Sequence, residues 1–111
     1  VNKISHLQNG VVNTYSLEPS DYGMARCTIA DLRGGTPDEA AQMMRDMLQG
    51  QLKDSRYDAV ILSAAAAISA ETGNMREALL EARESVDSGA ALSKLNLLVE
   101  FSQSFLPPSI E

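Results

Sequence analysis

The run Ala59-Val-Ile-Leu-Ser-Ala-Ala-Ala-Ala-Ile68 is apolar around nearly its whole circumference when wound as a helix. Such a helix has no side to give to water, so several neighbours must cover it. Its four consecutive alanines also let those neighbours approach closely. The chain has only 111 residues, enough for one domain with a modest core and not for two. The whole apolar stretch, from about Ala59 to Ala70, is too short to cross a bilayer, which needs about 20 apolar residues, and Ser63 and Ser69 interrupt it.

Helix punctuation surrounds this run. Thr36 reads as an N-cap, with Pro37 in the first helical position and Glu39 three residues on, a capping box. Ala40, Met43, Met44, Met47 and Leu48 then form an apolar stripe that stops at Gly50. The apolar run itself belongs to a helix from about Ser55 to Thr72, closed by Gly73. Asn74 and Glu77 repeat the box for a third helix, whose inner face is Met75, Ala78, Leu79, Ala82 and Val86. Ser88 can cap a fourth helix carried by Leu92, Leu95, Leu98 and Val99, with Pro107-Pro108 stopping it.

The chain before the first helix reads differently. Asn9-Gly10 stands between Lys3–Leu7 and Val11–Leu17, and this pair favours a two-residue type I′ hairpin, whose central residues both need positive φ. Val11, Asn13, Tyr15 and Leu17 share one parity, so the hairpin should have one partly buried face. Glu18 to Gly23 is turn chemistry. In Met24–Leu32, Cys27-Thr28-Ile29 favours extended chain and Ala30-Asp31-Leu32 a short helical turn. There is no internal repeat, linker or domain boundary, so residues 1–111 form one α-rich unit: a hairpin followed by about four helices. A hairpin is marginal alone and must pack on something larger.

A formal charge of −6 disfavours nucleic acid and anionic membrane surfaces, both of which select basic proteins. With one cysteine, Cys27, no internal disulfide can form, which fits a reducing compartment such as the cytoplasm. No secretory or transit segment is visible. Val1 is not an initiator methionine, and the simpler expectation is that residues precede it.

Each candidate for chemistry has a simpler structural account. Gly34-Gly35 before a helix could cradle phosphate, but no phosphate-loop fingerprint accompanies it, and Asp38 and Glu39 already occupy the positive helix end. That acidic pair is what dipole compensation predicts, not a metal site. Asp87-Ser88 reads as a helix junction, and Asp54 with Arg56 as a solvated pair ahead of the second helix. His6 has no partner in sequence and reads as a surface or edge residue. Cys27 reads as a small buried side chain. Arg26 and Arg33 read as surface or ion-pair residues, and Met43, Met44 and Met47 as core. No catalytic, cofactor-binding or metal-ligating residue is assigned.

Four segments together resemble one enzyme family. Glu18-Pro-Ser-Asp-Tyr-Gly23 resembles a Pro-Glu-Asp-Phe-Gly segment that follows a hairpin. Leu32-Arg-Gly-Gly-Thr-Pro-Asp-Glu-Ala-Ala41 resembles Leu-x-Gly-Gly-x-x-x-x-Asn-Ala, and Tyr57 to Ile68 resembles a buried Asp-x-x-x-Leu-Asn-Ala-Ala-Ala-x-Leu helix. Ala82 to Leu95 is similar to the closing helices. In this order they resemble the C-terminal part of the anthranilate phosphoribosyltransferase family. Ala40 and Ser63 depart from it, standing where the family usually has asparagines.

The resemblance implies an α/β parent fold, of which this chain would supply outer strands and helices. It implies transfer of phosphoribose from phosphoribosyl diphosphate to anthranilate, with magnesium, in tryptophan biosynthesis, by an enzyme commonly homodimeric. The family's diphosphate loop, basic substrate residues and acidic metal pair lie upstream, so this chain alone should be inactive and its partner the rest of the enzyme. The expected compartment is the cytoplasm, or a plastid in a photosynthetic eukaryote. Two alternatives stand beside this: a free-standing interaction module derived from the family, and part of a related nucleoside phosphorylase-type enzyme.

Overall fold

The computed structural model describes residues 2–107. Val1, and with it the question of what precedes the chain, lies outside the described residues, as does Pro108 of the expected helix stop. Two strands, β1 (Asn2–Gln8) and β2 (Val11–Leu17), form an antiparallel hairpin pairing Gln8 with Val11 and Asn2 with Leu17. Asn9 and Gly10 both take positive φ, 52° and 77°, as a type I′ turn requires. Four helices follow: α1 (Pro37–Leu48), α2 (Ser55–Thr72), α3 (Met75–Asp87) and α4 (Ala90–Gln103). Short 3-10 turns occupy Pro19–Tyr22 and Ala30–Leu32 between hairpin and helices.

The helix ends follow their local chemistry. Thr36 Oγ1 accepts from Glu39 N at 3.3 Å, and Asn74 Oδ1 from Glu77 N at 3.2 Å. At the end of α1, Gly50 N donates to Met47 O and Gln51 N to Asp46 O, the paired bonds of a Schellman motif. Asp54 forms the expected pair with Arg56, Oδ2 to Nη2 at 2.6 Å, and is also the N-cap of α2: Oδ1 accepts from Arg56 N and Tyr57 N. Before α4 the cap is Gly89, while Ser88 Oγ accepts from Ala90 N, so the helix starts one residue later than a Ser88 cap would place it.

The core lies between α2 and α3. Tyr57, Ile61 and Ala65 of α2 meet Ala78, Leu79, Ala82 and Val86 of α3, with Met47 of α1 and Met24 closing the cluster. Alanines on both helices let the two axes come close, so a compact core forms with few aromatics. The expected inner face of α3 is buried, with Met75 half-buried.

Other apolar positions are not covered by this chain. Val60 of α2 is 47% exposed, Met44 of α1 and Leu98 of α4 are exposed, and so is Ala40. Along the hairpin only Ile4, His6 and Leu17 are shielded, all on one face, as a partly buried hairpin requires; Val11 and Tyr15 of that face and Leu7 and Val12 of the other are open. The radius of gyration, 16.8 Å, exceeds the roughly 13 Å of a compact chain this long. A two-stranded sheet and an incompletely covered α2 suit an α/β fold whose other layers are not in this chain.

Candidate functional site

Where the open end of the hairpin passes α2, a cleft of about 490 Å³ forms. Its walls are Asn2 with residues 18–20 on one side, residues 24–29 with Leu32 on another, and α2 on the third. Helical spacing sends Ser55, Asp58, Ala59, Leu62 and Ser63 of α2 to this wall. Met24, Ala59 and Leu62 make the lining apolar, and Asp58 and the two serine hydroxyls give it polar points.

Asp58 is half-buried. Loss of water pushes its carboxyl above the usual range; Arg83 acts through space in the opposite direction, and Asp54 adds to the rise. At the cleft rim Arg26 pairs with Glu18 at 3.7 Å, its own side chain largely exposed. Among the described residues no hydrogen bond joins Asp58 to Ser55 or Ser63, so the wall holds no nucleophile–base relay. Its chemistry is that of a binding surface: apolar contact plus a charge.

A second, polar recess lies between the 3-10 turn Ala30–Leu32 and the start of α2, lined by Ala30, Asp31, Arg33, Asp54, Ser55 and Arg56. Asp31 accepts from Thr28 N at 2.8 Å and from Thr28 Oγ1, and these bonds lower its pKa. Arg56 binds Asp54 Oδ2 through Nε at 2.9 Å and Nη2 at 2.6 Å, and reaches the Met43 sulfur through Nη1. The guanidinium lowers the Asp54 pKa, and Asp54 in turn raises that of Arg56. Two arginines and two aspartates balance here, with Arg56 acting as a brace from α2 to α1.

The remaining sequence candidates are dispersed. Gly34-Gly35 forms the turn into α1, where Gly35 sits against the Glu39 carboxylate. Asp38 and Glu39 stay in the first turn of that helix. His6 is not a bare surface residue: half-buried, its Nε2 bonds the Ala70 carbonyl of α2 at 3.0 Å. Cys27, expected to be buried, is exposed at the cleft wall, because among the described residues nothing covers the segment that carries it away from the hairpin. Asp87 pairs with Lys53 at 3.3 Å, tying the end of α3 to the α1–α2 loop. Met47 is core, Met43 half-buried and Met44 open.

Of the two departures, Ser63 lines the cleft and Ala40 faces Gly34 across the turn. Asp58 was missed by sequence reasoning; the available signal was a carboxylate one turn into an otherwise apolar helix. Among the described residues no three His, Cys, Asp or Glu side chains come together to hold a metal. No helix among them is long and apolar enough to cross a membrane.

The sequence model described as "Glycosyl transferase family, a/b domain" matches residues 1–92. The chain is 45% identical over 101 residues to an anthranilate phosphoribosyltransferase of Desulfotalea psychrophila, covering 88% of this chain and 29% of that protein. An enzyme of the same name from Acetivibrio thermocellus is 40% identical over 106 residues, 94% of this chain and 30% of its own. One from Methanosarcina mazei is 38% identical over 104 residues, 92% and 28% respectively. The chain thus spans about three tenths of the length of these curated relatives. No solved structure matches it.

Proposed function

Because the chain belongs to the glycosyl transferase family, as part of its a/b domain, we propose that it is the C-terminal structural portion of an anthranilate phosphoribosyltransferase. On this reading the whole protein transfers phosphoribose from phosphoribosyl diphosphate to anthranilate, a step of tryptophan biosynthesis. The observation that carries the reading is identity of 38–45% to enzymes of that name along nearly the whole of this chain.

The chain's part is support, not chemistry. The groups that would bind diphosphate, anthranilate and magnesium belong to the other seven tenths, and the hairpin and helices described above brace them from outside. The uncovered apolar positions on α2 and the hairpin support this, since they suit burial by further layers of the same domain.

The test is the purified whole protein carrying this sequence, mixed with anthranilate, phosphoribosyl diphosphate and magnesium. Loss of anthranilate fluorescence is expected. No loss, with turnover of a nucleoside and phosphate instead, would move the protein to the phosphorylase branch of the superfamily.

A further inference from the structure

Asp58 lines the cleft one turn into α2, half-buried, and among the described residues no donor lies within hydrogen-bond or ion-pair reach of its carboxylate. The other charges at the cleft are already matched, Arg26 with Glu18 at 3.7 Å, and Arg83 of α3 acts on Asp58 only through space. A carboxylate that gives up water without gaining a donor costs free energy, so an isolated one on an apolar wall is unfavourable. Around it the apolar side chains of Ala59, Leu62 and Leu32 stand among the hydroxyls of Ser55, Ser63 and Thr28, and Ile29 at the rim is 84% exposed. A surface of apolar contact around one unmatched charge is how the centre of a protein interface is built.

We propose that this cleft is the seat for a segment from the remainder of the same protein, which sets a lysine or arginine side chain against Asp58 and apolar side chains against Ile29, Leu32 and Leu62. The inference rests on the reading above that this chain is one portion of a longer enzyme, three tenths of the length of its relatives. Charge selects the occupant. The chain carries −6 and the cleft keeps one uncompensated carboxylate, so a basic segment is attracted and an acidic one repelled. One carboxylate with neutral hydroxyls beside it, Glu18 being paired with Arg26, makes a poor metal-ion site, which favours a protein cation as the partner. Asp58 is on this account a positioning residue: it fixes how α2 sits against the catalytic part and touches no substrate.

The sign of a mutational effect decides the matter, in the whole protein. If Asp58 has a cationic partner, Asp58→Asn and Asp58→Leu strand that cation, and Tm falls by about 5 °C or more. Asp58→Glu, which keeps the charge, should recover most of the loss. If the carboxylate has no partner, removing it relieves its desolvation, and both neutral variants leave Tm unchanged or raise it; that result overturns the proposal. Should the neutral variants fail to fold, amide exchange of the unmodified whole protein reads the same question. Slow exchange through 24–32 supports a filled cleft, and fast exchange there overturns it. Anthranilate turnover is measured on the same unmodified sample, so a failed activity reading shows separately from the sign of the Tm change.

Discussion

His6 Nε2 donates to the carbonyl oxygen of Ala70 at 3.0 Å, joining the first strand to the last turn of α2. The bond answers a need at each end. A carbonyl in the last turn of a helix has no amide of its own helix to accept from, and a two-stranded hairpin needs an anchor. The donor role also sets the proton on Nε2 when the imidazole is neutral.

Replacing His6 by alanine should therefore loosen the hairpin more than the helices. The expected loss is about 0.5–1.5 kcal/mol, the net value of one hydrogen bond. Hydrogen exchange should quicken in β1 and β2 while the α2–α3 core keeps its protection. Equal quickening everywhere would mean that the bond holds more than the hairpin.

Gly34 and Gly35 should respond unequally to the same change. Gly35 has φ of 74°, and a methyl group there would meet the Glu39 carboxylate, so Gly35→Ala should cost about 1–2 kcal/mol. At Gly34 a methyl group finds only Ala40 Cβ at 3.8 Å, an ordinary contact, and Gly34→Ala should stay within about 0.5 kcal/mol. Urea unfolding of the two variants separates them.

Along α2, Ile61 is 1% exposed and Val60 is 47% exposed. Ile61→Ala should cost about 2–5 kcal/mol in any context, by lost transfer energy and the cavity left behind. Val60→Ala should cost within about 0.5 kcal/mol if its side of the helix stays wet. In the whole protein, where further layers are proposed to cover it, the cost should exceed about 1 kcal/mol. Comparing the midpoints of the two variants there measures that cover.

Asp54 gives a signed acid dependence. Its folded pKa lies below the ordinary 3.8, chiefly through the bond from Arg56, so its contribution is present above that value and is lost as pH falls through the lower folded one. Asp54→Asn should flatten this part of the acid unfolding curve and leave the region above pH ~5 parallel to the parent. A curve that steepens instead would contradict the sign.

Local chemistry made most elements legible. Thr36 and Asn74 announced two helix starts, Asn9-Gly10 the hairpin, and Ala78, Leu79, Ala82 and Val86 the face that α3 buries, because each signal acts within a few residues. Family membership was legible for the same reason, through segments whose order survives in the sequence. Coverage was not legible. Cys27, Met44 and Leu98 look like core by type, yet what lies above them is decided by elements distant in sequence or absent from this chain. The cleft was hidden too, since the end of the hairpin, residues 24–32 and one side of α2 become neighbours only in three dimensions.

The helical pair at the centre has a consequence in time. α2 and α3 are consecutive and joined by the short turn at Gly73-Asn74, and between them they hold most of the buried cluster. Contacts so near in sequence close quickly, whereas the His6–Ala70 bond must span 64 positions. The pair should collapse first as a helical hairpin, with the strands joining a platform already built. Pulse-labelled amide exchange during refolding would show protection arising in α2 and α3 before β1 and β2. A chain cut between Leu17 and Thr36 would then lose its strands and keep its seed.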